Sequence, residues 1–280
     1  MDSQAIGTPG FSLRGAAALL SLFAAVVLPV QDASAWGAIG HRVVGQVADR
    51  HLSPSAFLRV RQIMKNGSLG SVANWMDQVR GTPAGQGMDP WHYESLAACD
   101  GTRNCGGDAC AGPQIRSAIT TLKSGHGDQR RALRILVHLI GDVHQPLHTA
   151  ENRDRGGNYV VILNRYCPVS GTESKPCKLH SYWDTKLVKD VLGQRTEQAL
   201  VDALIQLPVS AGGEVDDWIR ESNQLAKDKV HQYTGFACNV GPNRVKVSKA
   251  YDTAGAQLVA QQLALAGKRL ADVLNEVYKP

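Results

Sequence analysis

The segment DQRRALRILVHLIGDVHQ, residues 128–145, constrains the fold more than any other stretch of the chain. It is strongly apolar and long enough for a helix, which predicts a helix buried in the core. His138 and Asp142 are four residues apart within it, so on a helix they share one face. An imidazole and a carboxylate are costly to bury among apolar side chains unless they are paired or bound to a metal ion. We therefore expect a central helix that carries a buried polar site.

The histidines and aspartates elsewhere in the chain indicate how such a site would be completed. Gln145-Pro146 should end the helix, because proline disfavours the helical conformation in the residue before it, and His148 then lies in the connecting loop. A second His-x-x-x-Asp pair, His180 and Asp184, repeats the spacing in LHSYWDT. Further candidates are Asp77 in NWMDQVR and His92 in PWHYES. Histidines and carboxylates without cysteine are typical of Zn²⁺ at an open, catalytic site.

The same pattern has an interpretation without metal. A single His-x-x-x-Asp pair on a helix is more often a local ion pair than a metal site. Two such pairs and a loop histidine in one chain raise the weight of the metal interpretation. His144, in the same segment, is expected to pack or to support a ligand rather than to bind metal itself.

Most of the chain after residue 35 is predicted to be helical. Ser53-Pro54 is typical of a helix start, with the serine as cap and the proline in the first turn. RGGNYVVIL is the best strand candidate because it is short and rich in β-branched residues. We see no repeat and no linker that divides the chain, so we expect a mainly α-helical single domain with a minor β-hairpin. Apolar residues recur at helical spacing in GHRVVGQVADRHL, SVANWMDQVR, HSYWDTKLVKDVL, RTEQALVDALIQL, DDWIRESNQLAKDKV and the run from Ala250 to Tyr278.

Residues 1–35 are predicted to be a signal peptide rather than part of the fold. Arg14 precedes the apolar run Ala16–Val30, and Ala33-Ser34-Ala35 is the small-residue pattern that signal peptidase recognises. The run is short for a transmembrane span, and an uncleaved membrane anchor is the alternative. We expect a mature chain that starts at Trp36, one large domain over residues 36–280, and export to a periplasm or to the medium.

The chain has six cysteines, and an even number in an exported chain predicts disulfides. None belongs to a Cys-x-x-Cys pair, so a thiolate zinc knuckle is not expected. Local pairing favours Cys105–Cys110 and Cys167–Cys177, which leaves Cys99–Cys238 as a long-range link, although spacing alone does not fix the pairing. The formal net charge of +5 suits an anionic partner without identifying one.

Six motifs occur in an order that resembles the S1/P1-type family of zinc-dependent single-strand nucleases. They are WGAIGHRVVGQVA, SVANWMDQVR, PWHYES, HLIGDVHQPLH, RDRGGNYV and LHSYWDT, and they cover most of residues 36–184. The resemblance implies a helical fold of the zinc phospholipase C and single-strand nuclease type, with three Zn²⁺ ions in a cleft. One zinc would be bound by Asp77, His92, His138 and Asp142. A second, bridged by Asp142, would be bound by His41 and by the free α-amine and carbonyl oxygen of Trp36, and a third by His148, His180 and Asp184.

The same resemblance implies an endonuclease that hydrolyses single-stranded DNA and RNA to 5′-phosphorylated products and also removes the 3′-phosphate of mononucleotides. Tyr93 would stack on a base, and Asn158 would line the base pocket, although Asn158 could instead shape the turn that contains it. Ser95 departs from the family, because several members have an aspartate there. A serine can orient a water molecule but is a poor base at neutral pH, and the adjacent Glu94 is expected to point elsewhere.

Two other functions are compatible with the sequence. A zinc phospholipase C would share the fold, the trinuclear site and the amino-terminal tryptophan, but GDVHQPLH followed by RGGN favours the nuclease. A non-catalytic exported protein that binds zinc or nucleic acid would hold oligonucleotides in a salt-sensitive way without turnover. The sequence implies no stable protein partner and no membrane contact after removal of the leader, and we expect a monomer.

Overall fold

Helices make up most of the computed structural model, which describes residues 1–2, 36–103, 105–163, 177–240 and 244–280. This confirms the predicted mainly α-helical class. The α-helices are α1 Ala38–His51, α2 Pro54–Ile63, α3 Leu69–Val72, α4 Trp75–Gln78, α5 Ala111–Ser124, α6 Gln129–Val143, α7 Leu179–Ser181, α8 Val188–Leu192, α9 Glu197–Leu204, α10 Val215–Leu225 and α11 Lys249–Val277. Short 3₁₀ turns cover Pro83–Gly85, Asp89–His92 and Pro146–His148. Two π-helical turns cover Tyr182–Leu187 and Ala226–Val230.

The chain divides into two units, Met1–Gln31 and Asp32–Pro280, and all of these helices belong to the second. The predicted signal peptide lies outside the described residues, except for Met1 and Asp2. Among the described helices, none combines the length and the apolar character that crossing a bilayer requires.

Local signals in the sequence set several helix boundaries. The Ser53 hydroxyl caps α2 by accepting a hydrogen bond from the Ala56 amide at 3.3 Å, and Pro54 is the first helical residue, as predicted. Asp128 caps α6 in the same way and accepts from the Arg131 amide at 2.9 Å. α6 ends at Val143, shortly before the 3₁₀ turn that Pro146 opens.

α6 lies in the core, as predicted from its apolar sequence. Every residue from 135 to 150 is buried, including the polar ones. α5 and α11 pack against α6, and α1 packs against α11. The approach of α1 to α11 is so close that a Cβ on Gly267 would lie 2.5 Å from Val47 Cβ. These contacts place α1 and α6 side by side, and each of them carries residues predicted to bind metal.

The β-structure of the described residues differs from the predicted hairpin. β1 Leu96–Ala97 pairs in parallel with β2 Ala150–Glu151, and β3 Val161–Leu163 pairs in parallel with β4 Arg244–Lys246. The RGGNYVVIL strand is present as β3, but its partner comes from a distant part of the chain. A parallel pair needs a long crossover, which the alternation of apolar residues within one strand does not reveal. The β1–β2 pair holds the segment after His92 against the segment after His148.

Two of the predicted disulfides are present in the structure. Cys99–Cys238 joins residues 139 positions apart with a Cα–Cα distance of 6.0 Å, and Cys105–Cys110 closes a short loop. The predicted Cys167–Cys177 pair cannot be compared, because Cys167 lies outside the described residues.

Candidate metal centre

The structure brings the predicted histidine and aspartate ligands into two buried groups. The first, here called the α6 cluster, consists of His41, Asp77, His92, His138 and Asp142. The second, here called the α7 cluster, consists of His148, His180 and Asp184. The helices α1, α4, α6 and α7, two 3₁₀ turns and a π-helical turn each contribute ligand candidates.

The Asp142 carboxylate is at the centre of the α6 cluster. Its Oδ1 lies 3.3 Å from His41 Nε2. Its Oδ2 lies 2.9 Å from His92 Nδ1 and 3.4 Å from His138 Nε2. Asp77 Oδ1 lies 3.7 Å from His138 Nε2 on the other side. The two oxygens of one carboxylate therefore face different sets of nitrogen atoms, which is the arrangement that a bridging ligand needs.

The α7 cluster is smaller and equally buried. The Nε2 atoms of His148 and His180 lie 3.0 Å apart, and Asp184 Oδ2 lies 3.4 Å from His180 Nε2. The Gln145 side-chain amide donates to the other Asp184 oxygen. His180 and Asp184 were predicted to share an α-helical face, but the chain forms a π-helical turn from Tyr182. Such turns are frequent at functional sites, and this one still brings the two side chains together.

Backbone carbonyl groups fix which nitrogen of each central histidine faces the cluster. The Nδ1 atoms of His138, His148 and His180 lie 2.7, 2.6 and 2.6 Å from the carbonyl oxygens of Ala73, His92 and Gly156. A carbonyl oxygen can only accept, so each Nδ1 carries a proton and each Nε2 presents a lone pair to the cluster. Two such lone pairs face each other between His148 and His180, an arrangement that a shared cation stabilises.

Burial opposes charge on the histidines of the two clusters and on the carboxyl groups of Asp142 and Asp184. Burial raises the pKa of Asp142 to about 8 and lowers the pKa of His41 to about 4. In the α7 cluster, burial raises the pKa of Asp184 well above its ordinary value and lowers the pKa of His180 to about 4. The histidines are therefore held neutral, as metal ligands must be, and the buried carboxylates need a positive charge beside them to ionise.

Several buried ligand atoms have no hydrogen-bond partner among the described residues. They are His41 Nε2, His92 Nε2, Asp142 Oδ1 and Asp184 Oδ2. Buried polar atoms normally find a partner, so the unpaired atoms of His41 and Asp142 in the α6 cluster and of Asp184 in the α7 cluster need an explanation. Nitrogen and carboxylate donors of this kind fit Zn²⁺. The ligand assignments themselves remain predictions.

Trp36 lies beside the α6 cluster and is fully buried. A Cβ on Gly141 of α6 would lie 2.9 Å from His41 Nδ1 and 3.8 Å from Trp36 Cδ1. The Gly37 amide, one residue later, donates to the Asp184 carbonyl at 2.8 Å. The start of the predicted mature chain therefore lies close to α6 and is joined to the backbone of Asp184 in the α7 cluster.

A cleft of about 380 Å³ contains the residues predicted to contact substrate. Tyr93 lines it, with its ring stacked on His148 at a centroid distance of 4.6 Å. Ser95 lines it with a left-handed backbone, φ 44°. Asn158 also lines it, but its side-chain amide donates to the Arg155 carbonyl at 2.9 Å, so Asn158 shapes its turn as well. The lining residues are Arg80, Asp89, Pro90, Tyr93, Ser95, Leu147, Ala150, Glu151, Arg155, Gly156, Asn158, Tyr159 and Lys178.

Two residues at the site were not predicted from the sequence. Arg80 lies 3.4 Å from Asp77 Oδ1 and contacts the Tyr93 hydroxyl, so it places a positive charge beside the α6 cluster. Its spacing of three residues from Asp77 was the available signal. The Glu151 carboxylate accepts hydrogen bonds from the amides of residues 154, 155 and 156 at 2.9, 3.2 and 3.2 Å. No local pattern in the sequence indicated that role.

Other polar residues near the site have structural partners. Glu94 points away from the cleft, as predicted, and accepts from the Gly112 amide at 2.9 Å and from Arg103. Cys105 and Cys110 lie close to Glu94 but are joined in a disulfide, so they offer no thiolate. His144 accepts a hydrogen bond from the buried Arg269 at 3.0 Å and lies outside both clusters.

The sequence is similar to known nucleases. Residues 36–279 match the S1/P1 Nuclease family. Nuclease P1 of Penicillium citrinum is 28% identical over 276 residues, which cover 87% of this chain and 98% of that protein. Nuclease S1 of Aspergillus oryzae is 30% identical over 187 residues, which cover 62% of each, so this match spans less than two thirds of that relative. Endonuclease 3 of Arabidopsis thaliana is 25% identical over 277 residues, which cover 89% of this chain and 91% of that protein.

A helical fold with paired histidine and aspartate clusters beside a cleft defines a class of metal-dependent phosphodiester hydrolases. The family match covers nearly all of the chain after residue 35. The protein belongs to the S1/P1 nuclease family, whose members are zinc-dependent phosphodiesterases. The family resemblance of the six motifs is thereby confirmed, and the nuclease is favoured over the phospholipase C.

Proposed function

We propose that this protein is an exported, single-strand-specific endonuclease that cleaves DNA and RNA to 5′-phosphorylated products and acts as a 3′-nucleotidase. The observation that carries the proposal is the Asp142 carboxylate, whose two oxygens face different nitrogen ligands in the α6 cluster. Asp77, His92, His138 and Asp142 would bind one zinc, and Asp142, His41 and the Trp36 backbone a second. His148, His180 and Asp184 would bind a third.

Zinc at such sites acts as a Lewis acid toward phosphoryl oxygens and makes water acidic enough to react at neutral pH. The side chains of the protein supply position and charge around that chemistry. Asp142 holds His41 on one side of its carboxylate and His92 and His138 on the other. The Arg80 guanidinium, 18% exposed beside Asp77, offsets the negative charge of a phosphate in the cleft. Ser95 can orient a water molecule through its hydroxyl, but it remains neutral and so does not remove the proton.

The preference for single strands follows from the aromatic lining of the cleft. One face of the Tyr93 ring covers His148, so a base would stack on the opposite face. A base in a duplex cannot do so, because it is already stacked between its neighbours. Asn158 lies in the same lining and can hydrogen-bond the edge of such a base. We also propose that residues 1–35 are removed as a signal peptide, that residues 36–280 are the nuclease domain, and that the protein acts as a monomer in a periplasm or in the medium.

Parallel assays of the mature protein, starting at Trp36 and loaded with zinc, test this proposal. We expect cleavage of single-stranded DNA and of RNA, much slower cleavage of duplex DNA, and no hydrolysis of phosphatidylcholine. A 5′-phosphate on the products is expected, because only the 3′-oxygen bond is broken. Equal rates on duplex and single strands would contradict the proposed specificity. Hydrolysis of phosphatidylcholine would favour the phospholipase, and binding without turnover would favour a non-catalytic protein.

The position of Ser95 leads to a graded prediction. Ser95→Ala should lower kcat less than His138→Ala does, because the serine only orients water, whereas His138 would bind zinc together with Asp77 and Asp142. The zinc content of the Ser95 variant should be unchanged. Equal losses of kcat in the two variants, with zinc retained in the serine variant, would assign Ser95 a direct catalytic role.

A further inference from the structure

One exposed aromatic side chain stands at the cleft and has no part in the proposal so far. Tyr159 is 43% exposed, and it lines the cleft with Tyr93 and Ser95. Phe57, Leu58 and Val240 are other large apolar side chains exposed among the described residues, but they do not line the cleft. An apolar ring that remains in solvent at the entrance to an active site is available to a ligand.

Arg155 covers one face of this ring. Its Cζ lies 5.5 Å from the centre of the Tyr159 ring. The Arg155 backbone is left-handed, with φ 54°. Three hydrogen bonds hold it there: Glu151 accepts from its amide, and the side chain and the backbone amide of Asn158 donate to its carbonyl. Within the described residues, its guanidinium forms no ion pair. The loop therefore presents a cation and an aromatic ring together.

The charges around this ring favour a phosphate. Lys178 also lines the cleft, on a segment that bridges to Val161, and it forms no ion pair with the parts of the chain that are described. The two acidic residues of the lining are already engaged. Asp89 lies 4.0 Å from Arg80, and the Glu151 carboxylate accepts backbone amides. An aromatic ring flanked by cations is the combination with which proteins bind single-stranded nucleic acids.

We propose that Tyr159, Arg155 and Lys178 form a second nucleotide subsite, which takes a nucleotide adjacent to the one held at the metal centre. The base would stack on the face of the Tyr159 ring opposite Arg155, and its phosphate would contact Arg155 and Lys178. The proposal rests on the proposed action on single strands. A mononucleotide occupies only the metal-centre subsite, so this second subsite distinguishes chain substrates from 3′-mononucleotides.

Substrate length is the variable that tests the subsite. The zinc-loaded protein and its Tyr159→Ala variant are assayed on a single-stranded octanucleotide and on a 3′-mononucleotide. We expect kcat/KM on the octanucleotide to fall about tenfold, in keeping with the loss of one stacked base. The rate on the mononucleotide should not change, and Tyr159→Phe should restore the octanucleotide rate. Arg155→Ala should flatten the salt dependence of kcat/KM on the octanucleotide alone.

The chain offers a matched control for the aromatic ring. Phe57 is 45% exposed and is covered by Arg61 at 5.9 Å, the same kind of pair, but it lies away from the cleft. Phe57→Ala should leave both rates unchanged. Equal losses on the two substrates in Tyr159→Ala, or no loss on either, would overturn the subsite.

A binding measurement separates failure of the subsite from failure of the proposed function. The affinity of a fluorescent phosphorothioate octanucleotide is measured by anisotropy with the zinc-loaded protein and with Tyr159→Ala. About tenfold weaker binding by the variant supports the subsite even if wild-type protein cleaves nothing, an outcome that would count against the proposed function alone. Equal affinities of the two proteins would reject the subsite whatever the activity.

Discussion

His180 shows how a single ligand candidate depends on residues that never touch the metal site. Its Nδ1 donates to the Gly156 carbonyl at 2.6 Å, and the Gly156 amide in turn donates to Glu151 at 3.2 Å. A Cβ on Gly156 would lie 2.6 Å from the Leu147 carbonyl oxygen, so only glycine fits at this position. Glu151 thus holds the loop whose carbonyl sets the orientation of His180.

Replacing Glu151 should therefore weaken one zinc site and spare the others. Glu151→Gln leaves one acceptor oxygen for the three backbone amides of residues 154, 155 and 156 that the carboxylate binds, which weakens its hold on the loop. Loss of a partner that orients a ligand typically costs about 10- to 100-fold in metal affinity. We expect about two zinc ions per chain, rather than three, after equilibration with a competing chelator and elemental analysis.

The matched control for Glu151 is Asp128→Asn. Asp128 also accepts a backbone amide at 2.9 Å, but at the exposed start of α6. The zinc content of the Asp128→Asn protein should equal that of the wild type. A Glu151→Gln protein that retains every zinc ion with wild-type affinity would show that the loop holds its shape without the carboxylate.

His231 leads to a prediction for the pH dependence of stability. It is buried against Phe236 at a ring distance of 4.5 Å, and burial lowers its pKa to about 4. The unfolded chain binds a proton at this residue near pH 6.5, whereas the folded chain does so only near pH 4. The unfolded state therefore binds more protons between these values, so His231 lowers the free energy of unfolding as the pH falls from 6.5 toward 4.

The size of this effect can be measured by difference. Between pH 7.5 and 4.5, wild-type protein should lose about 2 to 3 kcal/mol more of unfolding free energy than His231→Leu. Urea denaturation at the two pH values gives this number, and contributions of the metal ligands cancel in the comparison. His126→Leu, at an exposed histidine, should follow the wild type. If His231→Leu lost as much unfolding free energy as the wild type between the two pH values, His231 would not be the source of the pH dependence.

At the scale of the elements, the crossing of α1 and α6 determines whether His41 can reach Asp142. The two helices approach at Gly141, and the His41 ring stacks on the His138 ring at a distance of 3.8 Å. Gly141→Ala would place a methyl group 2.9 Å from His41 Nδ1, which is too close for the ring to stay in place. We expect loss of the zinc that His41 would bind and a large fall in activity, measured by metal content and by kcat.

The contact between α1 and α11 provides the control for that substitution. A Cβ on Gly267 would lie 2.5 Å from Val47 Cβ, well away from any ligand candidate in sequence. Gly267→Ala should therefore cost about 1 to 3 kcal/mol of stability through overpacking, with the zinc content unchanged. If both alanine variants lose stability and retain zinc equally, the α1–α6 crossing has no special part in the metal site.

The sequence predicted the elements whose signals are local. α6 follows from its apolar run, the Asp128 cap and Pro146, and α11 follows from its long helical periodicity. The parallel strand pairs could not be predicted, because β1 and β2 are two residues long and lie far apart in the chain. The π-helical turn after Ser181 has no sequence signal that separates it from an α-helix.

In the candidate site too, local signals were predicted and contacts between distant residues were not. The histidines and aspartates were found because they repeat at helical spacing or stand in motifs of one family. The carbonyl groups that bind those histidines could not be predicted, because they are distant in sequence. Ala73 lies 65 residues from His138, and His92 lies 56 residues from His148. Only the folded chain brings such pairs together, so the tautomers of the ligands become visible only in the structure.

At the scale of the whole molecule, maturation is predicted to complete the metal centre. While Ala35 is bonded to Trp36, the Trp36 nitrogen is an amide with no lone pair for a metal. After cleavage it is an amine beside His41. A protein that retains one alanine before Trp36 should bind one zinc fewer per chain and lose most of its activity. Full zinc content and full activity in that protein would show that the amine is not a ligand.

The hydrogen bond from the Gly37 amide to the Asp184 carbonyl also bears on when the metal centre can assemble during synthesis of the chain. It fastens the first turn of the domain to a segment almost 150 residues later, while α1 is clamped by α11 near the other end of the chain. A ribosome must therefore release nearly the whole polypeptide before the ligands can gather. Under the proposed function, the nascent protein then has no assembled centre with which to attack the messenger RNA from which it is being translated.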